Sequence, residues 1–452
     1  MSHPDRGSLK QRALRAGSWT ALGFGLSQGL RLVSTLVMTR ILAPEMFGVM
    51  TIATMVGVII ALLTDLGIKQ NIIQSAQGNQ TEFLNTAWTL QVLRGFALWA
   101  VAILASLALH LAGSRGLLPP DTVYGAPVLP WLIAATGFNA VITGLQSTNM
   151  AVAERRLEQR QLMLMELMSQ ATAIACMVAV GMATRSVWAL VVGGWASALV
   201  TVVLSHVWLP GPRNRLGWDE RSLKEIVSFG KWVFVSSFIG VFALNADRIV
   251  LGGLVPAGVL GQYAIASTIV GAMHGIFTKL YGTVAMPAMS ETVRADRQAL
   301  RTVFYRLRTP SDVALFLSAG LLAGCGSLLI DLLYDHRYQD AGWMVQILAF
   351  SLLWTRHSAS QLLYLALALP KQVAIINATR FVAVFLALPA GYYLGGMKGA
   401  LWGLSLHQAV IAILVFRFNS VLRINDFRRE FGVLLALPVG YALGFSLQRL
   451  LR

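Results

Sequence analysis

Six basic side chains, Arg31, Arg94, Arg248, Lys279, Arg356 and Arg380, lie inside stretches that are otherwise apolar enough to cross a membrane. A cation held at the bilayer centre costs about 2.5–3.5 kcal/mol on an insertion scale, so six facing lipid would cost roughly 15–20 kcal/mol. The residue types suit one chemistry above others. A guanidinium fork binds phosphate through parallel hydrogen bonds, and an ammonium binds it as a point charge. A solvated cavity between helix bundles, built to receive an anionic headgroup, is the expected setting. The bland alternative is that several of these cations pair with buried acids or snorkel to an interface.

Acids within the apolar spans are few. Asp65 and Glu166 are shallow and are expected to neutralise neighbouring arginines, whereas Asp247, beside Arg248, is the better coupling or gating candidate, with Asp65 second. His274, His357 and His407 titrate near neutral pH when unperturbed, but a neutral histidine bonded inside a helix bundle is the simpler expectation for each. Most tryptophans fit interfacial belts. Trp354 is the sugar-stacking candidate, two residues from Arg356, although that separation places the pair on different faces of a regular α-helix.

The elements that must position these residues follow from composition. The chain has 452 residues, 56% hydrophobic and 12% charged, with a mean hydropathy of +0.65, whereas a soluble domain carries about 25% charged residues. Long apolar runs without alternation read as membrane helices rather than barrel strands. The 41 glycines suit close helix packing. Cys176 and Cys325 both fall in apolar spans and suggest neither a disulfide nor a zinc site. The first apolar stretch has no small-residue cleavage site and reads as an anchor. At about 20 apolar residues per crossing, helices are expected near 16–40, 46–67, 84–112, 128–150, 162–183 and 186–208. Six more are expected near 225–252, 258–289, 309–334, 342–369, 372–394 and 398–418. Phe431–Leu447 is shorter, contains Pro438, and is either a thirteenth crossing or an interfacial helix, with a crossing preferred. The expected organisation is an amino-terminal lobe over 1–208, a carboxy-terminal lobe over 209–420 and an extension over 421–452.

Lys and Arg accumulate in cytoplasmic loops. Assigned to alternate sides of these helices, 23 basic residues fall on the side of the amino terminus and at most 7 on the other. The amino terminus is therefore expected in the cytoplasm. The same bias and attraction to anionic lipid account for the net charge of +16 without invoking nucleic acid.

Leu42-Ala43-Pro44, with Gly48 and Thr51-Ile52-Ala53, is echoed by Leu254-Val255-Pro256, with Gly261 and Ala264-Ile265-Ala266. Six expected helices separate the copies, so a true repeat would relate two six-helix lobes by an axis along the membrane normal; two similar helix-connecting turns would look alike. The run Arg40-Ile41-Leu42-Ala43-Pro44-Glu45-Met46-Phe47-Gly48 resembles the R-x-L-x-P-x-x-F-G loop of bacterial polysaccharide flippases of the Wzx type. Asp65-Leu66-Gly67-Ile68 followed by Ile73-Gln74, and Asp247 to Gly252 followed by Leu260-Gly261-Gln262-Tyr263, are similar to two further motifs of that family. The resemblance runs from about Leu14 to Asn419. It implies an all-α integral membrane protein with two pseudo-symmetric six-helix lobes around a central cavity, 12 core helices and an additional C-terminal helix. It also implies alternating access, and movement of undecaprenyl-diphosphate-linked oligosaccharide from the cytoplasmic to the periplasmic leaflet of the inner membrane, for exopolysaccharide, capsule or O-antigen synthesis. A glycan polymerase and a chain-length regulator are the partners implied beside membrane lipids.

No P-loop, G-x-S-x-G, H-E-x-x-H or Cys pair at metal spacing occurs. The connections are too short for a catalytic domain, so no enzyme and no cofactor or metal is expected. A proton or sodium gradient, or the membrane potential, would supply the energy. A multidrug extruder of the same superfamily is the first alternative, and it would call for acids to bind cationic drugs. A membrane glycan polymerase or ligase is the second, and it would call for a large periplasmic loop.

Overall fold

The computed structural model describes residues 9–63, 67–367 and 369–451, and among them every regular element is helical. The chain divides into two compact units, Met1–Val241 and Phe242–Arg452.

The first unit contains α1 (Leu9–Ile41), α2 (Pro44–Leu63), the short α3 (Ile68–Gln74), α4 (Thr81–Ser114), α5 (Leu129–Gly137), α6 (Asn139–Gly144), α7 (Asn149–Arg155), α8 (Gln159–Thr184) and α9 (Trp188–Val207). Pro44 opens α2, a position where its missing N–H costs nothing. Leu42, fully buried, packs with Met38 and Ala189, so the resembling loop motif is anchored in a local core. The expected helix over 46–67 is described as far as Leu63, and residues 64–66 lie outside the described residues. Gly67, with φ of 57°, then redirects the chain into α3 in a conformation that glycine adopts without strain. The fourth expected helix is interrupted at Phe138. Small residues bring its two pieces against α4: a Cβ on Gly95 would collide with the Ala140 carbonyl, and one on Gly137 with Ala102.

The next helix, α10 (Glu220–Gly252), begins in the first unit and ends in the second. Its start is tied to α4, because Ile226 joins a core with Phe83, Leu84 and Ala87 and the Asp219 N–H donates to the Thr86 hydroxyl at 3.0 Å. The division into compact units therefore falls inside α10 rather than in the connection before it.

The second unit continues with α11 (Ala257–Leu280), a π-turn over Tyr281–Ala285, α12 (Met286–Ala295), α13 (Leu300–Leu333), α14 (Ala341–Leu348), a 3-10 stretch Ala349–Trp354, α15 (His357–Ala366), α16 (Pro370–Leu406) and α17 (Gln408–Val421). Then come α18 (Phe427–Gly432) and α19 (Ala436–Leu451). Pro256 caps α11 as Pro44 opens α2, so both copies of the echoed tripeptide join a long helix to the next. The α16 element reverses at Gly395–Gly396, where Gly396 has φ of 58°. Its arms touch through Gly391 with Gly399 and Gly403 with Ala387, which makes two antiparallel helices, as expected near 372–394 and 398–418.

Eight helical stretches among the described residues are long and apolar enough to cross a membrane, including Phe427–Leu451. This last stretch runs alongside α13 in the same direction. Gly320 and Gly324 of α13 interlock with Gly440 and Gly444 of α19, so closely that a Cβ on any of the four would strike opposing backbone. Both pairs are separated by three residues, which puts each pair on one helix face.

Candidate functional site

In the first unit, α2, α4, the α5–α6 pair and α9 enclose a cavity of about 620 Å³. Its wall includes Lys69, Gln70, Gln91, Arg94, Asn139 and Gln146, with threonines and the Trp195 ring, and no carboxylate among the described residues. The break at Phe138 organises this wall. Trp99 and Trp195 indoles donate to the carbonyls of Ala134 and Ala135 at 3.1 and 3.0 Å, and the Gln91 amide donates to the carbonyls of Gly144 and Gln146 at 3.0 and 2.9 Å. Arg94, about 20 Å along α4 at 1.5 Å per residue, donates through Nη2 to the Ala61 carbonyl at 2.6 Å. Asn139 Oδ1 is buried with no hydrogen-bond partner among the described residues. A buried acceptor in that state is stabilised by a donor brought by a ligand or water. Lys69 is held by Glu154 at 2.6 Å. The wall offers a guanidinium for phosphate and amides and hydroxyls for carbohydrate hydroxyl groups.

In the second unit, Arg308, Asp312, Arg356 and Glu430 form a buried ionic network. Arg308 Nη1 meets Glu430 at 2.8 Å and its Nε meets Asp312 at 3.1 Å, while Arg356 Nη2 lies 2.9 Å from Asp312 and 2.5 Å from Glu430. The Tyr305 hydroxyl also donates to Glu430 at 2.8 Å, and the Tyr281 hydroxyl to Asp312 at 3.3 Å. Phe304 and Phe316 underlie the guanidinium groups of Arg308 and Arg356 at 5.2 and 5.3 Å. Beside the network lies a cavity of about 360 Å³, whose wall includes Arg308, Trp354, Arg356, His357 and Glu430.

This network corrects the expected inventory. Arg308, one residue before the helix expected at 309–334, lies within α13 and is almost wholly buried. The acids Asp312 and Glu430 were not among the expected intramembrane carboxylates, yet they are Arg356's partners. The i,i+4 spacing of Arg308 and Asp312 was a readable sign of pairing on one helix face. Trp354 and Arg356 also share a cavity wall, although different faces of a regular helix were expected. The 3-10 stretch that ends at Trp354 changes the helical phase. Trp354 further donates to the Ser405 carbonyl at 2.6 Å and stacks on His357.

The other expected residues do not converge on either cavity. Arg31 is exposed on α1, and Arg248, Lys279 and Arg380 are half-buried in α10, α11 and α16. The Nε atoms of Arg248 and Arg380 are buried without a hydrogen-bond partner among the described residues. Asp247 accepts a short hydrogen bond from the Tyr263 hydroxyl. Glu166 accepts from Ser27 at 3.1 Å and Gln170 at 3.2 Å, so hydroxyl and amide donors satisfy it where an arginine was expected. Asp65 lies outside the described residues.

Residues 37–343 match the family described as polysaccharide biosynthesis protein. The lipopolysaccharide biosynthesis protein WzxC of Escherichia coli (strain K12) is 23% identical over 458 residues, covering 98% of this chain and 89% of that protein. Among solved structures, the lipid II flippase MurJ in an inward closed conformation matches with a TM-score of 0.69 at 12% identity, over 96% of this chain and 99% of MurJ. An inward-facing MATE multidrug transporter of the MOP superfamily matches with a TM-score of 0.65 at 15% identity, over 88% and 94% of the two chains. With about two thirds of its length inside that family's signature and the helical fold of multi-pass membrane transporters, the chain belongs to the polysaccharide biosynthesis protein family, as its Wzx-type loop motifs imply.

Proposed function

We propose that the protein is a flippase that carries undecaprenyl-diphosphate-linked oligosaccharide from the cytoplasmic to the periplasmic leaflet of the bacterial inner membrane by alternating access. The observation that carries this reading is the lining of the first unit's cavity, with Arg94, four amide side chains and several threonines and no carboxylate among the described residues. A diphosphate head loses its hydration on leaving water, and a guanidinium replaces part of it by charge-assisted hydrogen bonds. The amides and hydroxyls, including the unsatisfied acceptor of Asn139, suit sugar hydroxyl groups. The cations in that wall, Arg94 and Lys69, favour an anionic ligand over the cationic drug that the extruder alternative calls for.

In this reading the amino terminus lies in the cytoplasm, the stretch from Phe427 to Leu451 makes a thirteenth crossing, and a proton or sodium gradient or the membrane potential drives the cycle. Arg31, Arg248, Lys279, Arg356 and Arg380 form the proposed charged route, with Asp247 or Asp65 coupling it and Trp354 stacking on sugar. A polymerase and a chain-length regulator would act on the delivered glycan.

The test is headgroup translocation of a fluorescent lipid-linked oligosaccharide in proteoliposomes. Arg94→Ala is expected to slow transport at least about tenfold, the loss of one charge-assisted contact of about 1.5–3 kcal/mol, whereas Arg115→Ala on an exposed loop leaves it unchanged. Equal rates for both variants would remove the cavity from the mechanism.

A further inference from the structure

Glu430 sits where an anionic ligand would sit. Its carboxylate accepts from Arg308 Nη1 at 2.8 Å, Arg308 Nη2 at 3.2 Å, Arg356 Nη2 at 2.5 Å and the Tyr305 hydroxyl at 2.8 Å. A forked arginine, a second arginine and a hydroxyl converging on two oxygens is the donor set that also recognises phosphate oxygens.

The helix that delivers Glu430 is short and is held mainly by contacts near the surface. None of the six residues of α18 is buried, and Phe427 and Phe431 are both largely exposed. Besides the Glu430 side chain, its ties are Arg356 Nη1 to the Glu430 carbonyl at 3.5 Å, Arg429 over the Tyr305 ring at 5.7 Å, Phe427 edge-on to Phe416 at 5.4 Å, and the flanking Asp426, which meets Arg301 at 3.5 Å and donates its backbone N–H to the Tyr305 hydroxyl at 2.9 Å. The following helix is fixed independently by the Gly440 and Gly444 contacts with α13, so α18 can leave its seat while α19 stays.

Removing Glu430 from the network leaves two guanidinium groups against the one carboxylate of Asp312, a formal charge of +1. Both guanidiniums keep their aromatic supports. The space for a ligand is already present: the 360 Å³ cavity touches Arg308, Arg356 and Glu430 together. Arg356, which is more than nine-tenths buried, has an Nε with no hydrogen-bond partner among the described residues, and so does the Nδ1 of His357 in the same wall. Ile413, Phe416, Phe431 and Leu434 give the rest of the wall a largely apolar, partly exposed face, to which Asn419 and Asn425 add two amides. A ligand that fits both parts carries a phosphate at one end and hydrocarbon at the other.

We infer that Arg308 and Arg356 form a phosphate site that Glu430 occupies as an internal stand-in, and that α18 is the latch whose withdrawal opens it to a phosphate-bearing amphiphile. The site's existence does not depend on the flippase reading; the choice between a membrane phospholipid and a lipid-linked diphosphate does rest on it.

The test is isothermal titration of the full-length protein in neutral detergent with dodecyl phosphate and with farnesyl diphosphate. Glu430→Gln is expected to bind at least about tenfold more tightly than wild type, since apparent affinity scales with the open fraction. The gain should vanish in Glu430→Gln combined with Arg356→Ala. Preference for farnesyl diphosphate assigns the site to the lipid-linked diphosphate, and preference for dodecyl phosphate to a phospholipid head. Equal affinities for wild type and Glu430→Gln, or a gain that survives loss of Arg356, would overturn the inference. Should Glu430→Gln not fold, hydrogen exchange of wild-type amides 427–432 decides: saturating probe is expected to speed it, and unchanged exchange refutes the latch. Failure here leaves the Arg94 translocation result untouched, so the two readings fall separately.

Discussion

The two units treat a deep arginine differently. In the first, Arg94 reaches a backbone carbonyl from the wall of a large cavity whose described lining is cationic or neutral. In the second, Arg308 and Arg356 are matched by Asp312 and Glu430 in a network that is formally neutral and largely buried. The contrast separates two uses of buried charge. A guanidinium in the wall of an open cavity is placed where a ligand can reach it, whereas one inside a buried network meets a ligand only after an acid has left, because breaking a desolvated pair leaves charge uncompensated.

The largest expected effect breaks the second arrangement. Glu430→Ala should destabilise the protein by about 3–5 kcal/mol, the cost of leaving buried charge uncompensated, measured by denaturant unfolding in detergent. Arg94→Ala should cost less, at least about 1.5–3 kcal/mol for the charged hydrogen bond to the Ala61 carbonyl. Comparable losses would mean that both arginines are structural in the same sense.

A smaller effect separates the latch from its anchor. Gly440→Leu forces a side chain into the α13 backbone at Leu317 and should cost about 1–3 kcal/mol by overpacking. Limited proteolysis should then cut between α17 and α19 faster than in wild type, while the first unit's fragments appear at unchanged rates. Cleavage that does not accelerate would show that α19 is held by something other than the glycine contacts.

The smallest concerns the helix that joins the units. Asp219 receives the Ser222 hydroxyl at 2.7 Å and the Ser222 N–H at 2.8 Å, which hold its carboxyl below the usual range. With the folded value lowered, this cap contributes fully above the ordinary carboxylate pKa of about 3.9 and is lost as pH falls through the lower folded value. Amide exchange at Ser222, corrected for intrinsic rates, should lose protection only in that acid window. Asp219→Asn should remove the pH dependence while keeping most of the cap.

Much of the fold was legible because membrane helices announce themselves locally. The turns at Pro44 and Pro256 and the reversal at Gly395–Gly396 all carry residues with intrinsic backbone preferences. The break between α14 and α15 was not legible. Ala349 to Arg356 contains neither Pro nor Gly, so nothing local marked the 3-10 stretch that brings Trp354 and Arg356 into one wall. Arg94 and Arg356 were legible as deep cations, since position within an apolar run is enough to find them. The partners of Arg356 were not, because Asp312 lies on another helix and Glu430 lies 74 residues away, after α17.

Composition and the order of residues alone determined that this chain is a multi-pass helical membrane protein and where most helices begin and end, because hydropathy and turn preferences act over neighbouring residues. Its loop motifs likewise sufficed for the family, since they are short and contiguous. Only the tertiary structure decided which arginine faces an amide-lined cavity and which is held by acids. Charge pairing inside a membrane protein acts between side chains far apart in the chain, and which of them meet is set by helix packing, here by glycine pairs that let α19 carry its neighbour α18, and with it Glu430, to α13.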